Sequence, residues 1–268
     1  MFPVFTIYFH HSKEVFVCCL IVSLRCVFWV GLSIRGGGSD SPRPASQRAA
    51  ALVLTAAMLT TLTAPAFAET WDIEKGDITV KAGDTEGTNK VSQGTIIDKE
   101  DTDTVITGKS DKNTVTIDAK DENDKVEVTL KDLNIDASSG SEAAVSVTGK
   151  GNTNIELDGD NELKSGAGHA GLEHNKTDTS GELTIQDKDK NGSLEAVGGF
   201  KGAGIGSAGS NDAQVKITGG NITATSDDWG AGIGSGSDGT AYVEITGGEI
   251  NATGGYCLLY TSPSPRDV

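Results

Sequence analysis

The sequence predicts an all-β fold, a parallel β-helix that winds as a three-sided solenoid with about 28 residues per coil. Two motifs recur at one shared spacing: Gly-Ala-Gly-Ile-Gly-Ser begins at Gly202 and again at Gly230, and Ile-Thr-Gly-Gly begins at Ile217 and again at Ile245. A repeat that cannot bury its own apolar face must stack on its neighbours, which gives an elongated solenoid. Alternation of apolar and polar residues between Gly-rich turns indicates that each coil is built from strands.

Three columns of aliphatic residues mark the three sides of each coil. The first alternates with a period of two, as half-buried strands do, in Val128-Thr129-Leu130, Ile155-Glu156-Leu157, Leu183-Thr184-Ile185, Val215-Lys216-Ile217 and Val243-Glu244-Ile245. The second column is Ile135, Leu163, Leu194, Ile222 and Ile250, and the third is Val145, Leu172, Ile205 and Ile233. We expect an inward position for Val145, Leu157, Leu172, Ile185, Ile205, Ile217, Ile233 and Ile245. Strand-like segments at 78–80, 95–97, 105–106 and 115–117 extend the pattern toward Glu69.

An antiparallel β-sandwich is the competing architecture, because it also combines short alternating strands with frequent turns. A sandwich gives no reason for two motifs to return at one fixed interval. The repeats therefore favour the parallel coil.

The chain before Glu69 predicts export. Arg43 and Arg48 precede an apolar run at 49–62, and Ala66-Phe67-Ala68 offers the small residues that a signal peptidase accepts. We expect a signal peptide at 41–68, a mature domain at 69–256, and a secreted or extracellular location, with wall attachment through a missing C-terminus.

The two extreme ends differ in composition from the rest. Residues 1–40 are interpreted as an upstream extension translated from a misplaced start, because a second apolar export segment just before a complete one is redundant. Residues 257–268 bring arginine, cysteine and proline into a region that has none of them, and they look like a translated sequencing adaptor. We expect the natural protein to continue past Tyr256.

The predicted mature domain is strongly acidic. Residues 69–256 hold 35 Asp and Glu and 16 Lys, a net charge of −19, against −16 for the whole chain. Nucleic acid and anionic lipid both need a basic face, so neither is expected as a partner. No cysteine lies in this region, so disulfides cannot stabilise it.

Several segments together carry a family resemblance. They are Trp71-Asp72-Ile73, Ile78-Thr79-Val80, 128–135, 154–163 and the Gly-Ala-Gly-Ile-Gly-Ser repeats. In this order they resemble the secreted carbohydrate-binding β-helix family of Gram-positive, largely gut-dwelling bacteria. The resemblance implies a right-handed parallel β-helix, binding of acidic polysaccharide, a role for calcium, and attachment at the cell surface.

One loop partly matches a calcium site. Asp187, Asp189 and Asn191 occupy the first, third and fifth positions of a calcium-loop pattern, where oxygen ligands are required. The closing acid is missing, because the twelfth position is Gly198. A polar turn inserted between two strands explains the same residues, and both interpretations stay open.

A glycan site is the second candidate. Trp229 and Phe200 come just before the equivalent Gly-Ala-Gly-Ile segments, and Tyr242 follows nearby. Exposed aromatic rings can stack on sugars, while Asp227 and Asp228 can accept bonds from sugar hydroxyls. Aromatic rings that seal a corner of the solenoid explain the same spacing.

The sequence favours a non-catalytic surface module that binds a polysaccharide or a host or cell-surface glycan. His169 and His174 are not expected to share a metal, because alternation places only His174 on the face of Leu172. A polysaccharide lyase or hydrolase on the same fold is the enzymatic alternative, although residues 69–256 contain no arginine and no catalytic constellation is singled out. A structural stalk that projects another domain is the third hypothesis.

Overall fold

A computed structural model describes residues 68–255, and strands account for most of them. The extension at 1–40, the signal peptide at 41–68 apart from Ala68, and the adaptor at 257–268 are predictions that lie outside the described residues. The described strands are β1 (Glu69–Asp72), β2 (Ile78–Ala82), β3 (Asn89–Gln93), β4 (Ile96–Asp101), β5 (Thr104–Ser110), β6 (Val115–Ala119), β7 (Lys125–Asp136), β8 (Val145–Gly149), β9 (Asn152–Asp158), β10 (Asp160–Lys164), β11 (Leu172–Lys176), β12 (Leu183–Gln186), β13 (Ser193–Gly198), β14 (Ile205–Gly206), β15 (Asp212–Ile217), β16 (Asn221–Ser226), β17 (Ile233–Gly234), β18 (Ala241–Ile245) and β19 (Glu249–Thr253). One 3-10 turn at Ile73–Lys75 joins the first two.

The strands stack in parallel on three sides, which confirms the predicted all-β solenoid. Side 1 runs from β1 through the first halves of β5 and β7 to β9, β12, β15 and β18. Side 2 runs from the second halves of β5 and β7 to β10, β13, β16 and β19. Side 3 contains β2, β6, β8, β11, β14 and β17. Successive coils add one strand to each side, at the usual spacing of about 4.8 Å.

The third predicted column is confirmed in full. Leu172 pairs with Val145 on one neighbouring strand and with Ile205 on the other, and Ile205 pairs with Ile233. All four side chains are buried. The Gly-Ala-Gly-Ile-Gly-Ser repeat therefore supplies side 3 and the turn that leads into it.

In the first and second predicted columns, the observed strand pairing differs from the predicted pairing by two residues at one step each. Ile155 pairs with Ile185, whereas the position of Leu183 in the preceding coil is taken by Thr153. On side 2, Leu163 pairs with Ala196 and not with Leu194. Both errors have one cause: a polar residue occupies an inward position and interrupts the aliphatic column.

Asn161 is the interrupting residue on side 2, where it pairs with Leu194 and is buried. Its Oδ1 accepts from the Leu133 backbone N–H at 3.0 Å, and its Nδ2 donates to the Ser193 carbonyl at 3.0 Å. These bonds join three successive coils and satisfy a buried amide that would otherwise be costly.

Seven of the eight side chains expected to point inward are buried. Each such aliphatic side chain contributes about 1.5–3 kcal/mol of stabilisation when removed from water. Ile245 is the exception: it shares the register of Ile217, but 48% of it is exposed. Its inward register is as predicted, and its exposure has a simple reason: within residues 68–255, β15 is the one strand that pairs with β18, so no further coil covers Ile245.

An antiparallel hairpin, β3–β4, interrupts the solenoid near its N-terminal end. The predicted strand at 95–97 is part of this hairpin and not of a parallel coil, so its expected place was wrong. Val91 packs into the core, while the Asn89 amide donates to Thr104 Oγ1 at 2.9 Å. The buried Asp101 accepts from the indole N–H of Trp71 at 2.7 Å. These contacts hold the hairpin against the first coils.

His174 should make the solenoid sensitive to mild acid. The ring is buried on side 3, with Nδ1 3.2 Å from the Val147 carbonyl and Nε2 3.0 Å from the Gly181 carbonyl. Burial lowers the pKa of His174, the nearby Lys176 charge lowers it further, and the two carbonyl contacts oppose the shift. The unfolded chain therefore takes up the proton first as the pH falls. The folded state keeps its full stability above about pH 6.5 and loses stability as the pH falls below that value.

The measurement is the melting temperature of the wild type and His174→Gln at neutral and mildly acidic pH. We expect the wild type to lose more stability on acidification than the variant, which has no imidazole to titrate at this position. An equal loss in both proteins contradicts this role for His174.

Candidate functional site

Phe200 and Trp229 lie on one corner of the solenoid. Each follows the side 2 strand of its coil and precedes the side 3 strand, in the turns after β13 and β16. Their side chains are 48% and 49% exposed. The two coils stack directly, since β13 pairs with β16 and the Gly204 N–H donates to the Ala231 carbonyl at 3.0 Å. The repeat therefore places two aromatic residues on the same edge of neighbouring coils, and we call this edge the aromatic corner.

Polar groups surround the aromatic corner. The Lys201 ammonium lies 5.5 Å from the centroid of the Phe200 ring, within the range of a cation–π contact. Lys201 holds a backbone φ of 68°, an uncommon conformation for a residue with a side chain. Asp227, exposed, and Asp228, half-buried, belong to the same turn as Trp229. Aromatic faces and carboxylates thus meet on one exposed edge.

Tyr242 lies elsewhere. It is on β18 of side 1, in register with Gln214, and is 64% exposed. The side 3 strand β17 separates it along the chain from the Trp229 turn. The structure therefore groups four of the five predicted glycan-binding residues and places the fifth on a different side.

The predicted calcium residues lie in the turn between β12 and β13. Asp187 uses both carboxylate oxygens within the loop, accepting from the backbone N–H groups of Asn191 and Gly192 at 3.2 Å each. The Asn191 amide donates to Asp158 at 3.2 Å. These contacts are those of a polar turn. In residues 68–255, no group of three or more His, Cys, Asp or Glu side chains is arranged to hold a metal ion.

His169 and His174 are placed differently, as alternation predicts. His169 Nδ1 lies 2.8 Å from Glu173 Oε2, and Glu173 is itself buried. His174 instead points into the core, where carbonyl oxygens contact both ring nitrogens. The two imidazoles therefore serve separate local contacts.

A polar cleft on side 1 was missed by the sequence analysis. Its volume is about 430 Å³, and the outward faces of β7, β9 and β12 contribute to its lining. One wall comes from the loops that flank the N-terminal hairpin, and Lys188 and Asp189 contribute from the β12–β13 turn. The lining residues are Glu86, Gly87, Asn89, Thr102, Asp103, Lys125, Glu127, Val128, Thr129, Asn154, Glu156, Gln186, Lys188 and Asp189. We call this the side 1 cleft.

Glu156 has an unusual environment in the side 1 cleft. Its Oε1 accepts from the Lys188 backbone N–H at 2.6 Å. Among the described residues, its Oε2 is buried without a hydrogen-bond partner, and the Lys188 ammonium lies 3.6 Å away. A buried carboxylate oxygen without a donor is costly, so this atom would gain from an added N–H or O–H group.

Comparison with known proteins supports the repeat architecture. Residues 215–237 and 243–257 match a family model described as a beta helix repeat. No curated protein and no solved structure matches the chain. No helix in residues 68–255 is long and apolar enough to cross a membrane. The matched repeats and the stacked parallel strands together show that residues 68–255 fold as a parallel β-helix.

Proposed function

We propose that this protein binds glycans at the aromatic corner without cleaving them. The observation that carries the proposal is the exposure of Phe200 and Trp229 on one edge of successive coils. Aromatic side chains offer a large apolar face at low conformational cost, and the apolar face of a sugar ring can pack on it. Repeated weak contacts on neighbouring coils can then add through avidity.

The charges at the aromatic corner favour a neutral glycan. Asp227 and Asp228 can accept hydrogen bonds from sugar hydroxyls, but they repel an acidic polymer. An acidic polysaccharide therefore needs a divalent cation between ligand and protein. We expect a chelator to abolish retention on pectin-like material and to leave retention on neutral glycans unchanged.

The proposal places the protein outside the cell, at or near the bacterial surface, as the export segment at 41–68 and the family resemblance imply. The competing functions are a lyase or hydrolase and a structural stalk. Release of unsaturated or reducing sugar would assign the protein to the enzymes. Retention on no glycan would favour the stalk.

Affinity electrophoresis on neutral glycans tests the proposal with the double variant Phe200→Ala/Trp229→Ala. Each lost ring removes on the order of 1 kcal/mol, so we expect binding to weaken at least about tenfold. Tyr242→Ala is the control, since it removes an exposed aromatic side chain from another side of the solenoid. Equal retention of the wild type and the double variant contradicts the assignment of the corner.

Calcium binding at the Asp187 loop stays a prediction. A ligand that binds only the folded protein raises its melting temperature in proportion to the logarithm of its concentration, once sites are mostly filled. We therefore expect a higher melting temperature in millimolar calcium than in chelator, and a smaller difference for Asp189→Asn. Identical melting temperatures in both conditions contradict the prediction.

A further inference from the structure

We propose that the side 1 cleft is a second binding site, which accepts oligosaccharides of amino sugars whose amino groups are free and protonated. This site is independent of the aromatic corner, because its lining comes from side 1 and the N-terminal loops. Its ligand differs from a neutral glycan in carrying positive charge.

The shape of the side 1 cleft suits an oligosaccharide. A volume of about 430 Å³ lies within the usual range for small-molecule sites, about 300–1,000 Å³. Its floor is three in-register strands, with Glu127 paired to Asn154 and Thr129 paired to Glu156. Side chains mounted on paired strands keep fixed positions, which favours specific recognition over loose adsorption.

The charges in the side 1 cleft select a cation. Five carboxylates and two ammonium groups line it, a difference of three negative charges: Glu86, Asp103, Glu127, Glu156 and Asp189 against Lys125 and Lys188. Walls of low dielectric concentrate this field, so an ammonium group is attracted and a carboxylated ligand is repelled.

Glu156 adds a specific acceptor to this general attraction. Its buried Oε2 has no hydrogen-bond donor within residues 68–255, and the Lys188 ammonium lies 3.6 Å from it. Lys188 is mostly exposed and can move aside. A ligand ammonium in its place would supply the missing hydrogen bond, so the site contains an unsatisfied acceptor for the charge that it attracts.

The remaining lining distinguishes an amino sugar from other cations. Asn154, Gln186 and Thr129 offer amide and hydroxyl groups that match sugar hydroxyls. The large aliphatic side chain in the lining, Val128, is only 2% exposed. The cleft therefore presents no large exposed aliphatic side chain to a polyamine or an aliphatic cation, whereas a polyhydroxylated cation finds hydrogen-bond partners in it.

Calorimetry on the purified protein with glucosamine oligomers tests this site, with N-acetylated oligomers of the same length as the uncharged comparison. We expect the acetylated oligomers to bind at least about tenfold more weakly, the equivalent of one lost charged contact of about 1.4 kcal/mol. Equal affinity for both, or binding of neither, overturns the proposal. Oligolysine that binds as tightly as the glucosamine oligomer would also overturn it, since the site would then recognise only charge.

Variants localise the binding. Glu127→Gln/Glu156→Gln should lower affinity for the glucosamine oligomer about a hundredfold, and Glu127→Gln alone about tenfold. Glu195→Gln/Glu249→Gln removes the same net charge from side 2 and should leave affinity unchanged. An equal loss in both double variants overturns the assignment. Trp229→Ala, made in the aromatic corner, should retain oligomer binding, which separates failure of this proposal from failure of the neutral-glycan proposal.

Discussion

Ile217→Asp is expected to unfold the solenoid. Ile217 is fully buried on side 1, in register between Ile185 and Ile245. An aspartate there loses the transfer energy of the aliphatic side chain and buries a charge without a partner, a combined cost of several kcal/mol. Domains are commonly stable by only about 5–15 kcal/mol, so this loss should remove much or all of the folded population.

Lys216→Asp is the matched control, because it introduces the same residue one position away, where the side chain points outward. The Lys216 ammonium lies 3.6 Å from Glu244 Oε1, so the variant loses a surface ion pair and places two carboxylates side by side. The loss of an exposed ion pair and the repulsion between two exposed carboxylates each cost typically about 1 kcal/mol or less. Urea unfolding followed by circular dichroism measures both variants, and equal destabilisation contradicts the inward and outward assignment.

Gly206→Ala should strongly destabilise the solenoid. Gly206 is buried on side 3 with a φ of 133°, and a β-carbon there would overlap the Gly234 carbonyl oxygen of the next coil. Backbone on both sides of this contact belongs to paired strands, so neither can move without breaking the stack. We expect a loss of more than about 3 kcal/mol in the free energy of unfolding.

Gly168→Ala separates the clash from the backbone strain. Gly168 also has a positive φ, 89°, but an added β-carbon would meet no atom within 4 Å. This variant should therefore lose only the cost of the left-handed conformation, about 1–2 kcal/mol. Chemical denaturation of the two variants makes the comparison, and similar losses would show that close stacking of the coils is not what requires glycine at position 206.

The sequence predicted the fold class because the repeats place aliphatic residues and turns at one fixed interval. The third column is confirmed residue by residue, since no polar residue interrupts Val145 and its successors. The other two columns slip because Thr153 and Asn161 take inward positions. A pattern that counts only aliphatic side chains cannot identify an inward polar residue such as Asn161, whose amide bonds to the two neighbouring coils.

The repeats also decide which parts of the candidate sites could be predicted: residues that adjoin the repeated motif could be placed, and residues away from it could not. Phe200 and Trp229 could be placed together because both precede the same repeated motif. Tyr242 is close to Trp229 in sequence, yet a whole side of the coil separates them. The side 1 cleft depends on the antiparallel β3–β4 hairpin and its flanking loops, which no repeat predicts. Concavity arises there from long-range packing, which periodicity does not reveal.

Tryptophan fluorescence during a titration with neutral glycans tests the central claim most directly. Trp71 is buried and donates its indole N–H to Asp101, while Trp229 is half exposed at the aromatic corner, so a sugar stacked on the corner should change the emission of Trp229. We predict a saturable change that is lost in Trp229→Phe, with no reducing sugar released during the titration. An unchanged spectrum with every glycan, an equal response from Trp229→Phe, or steady release of reducing sugar would contradict non-catalytic binding at this corner.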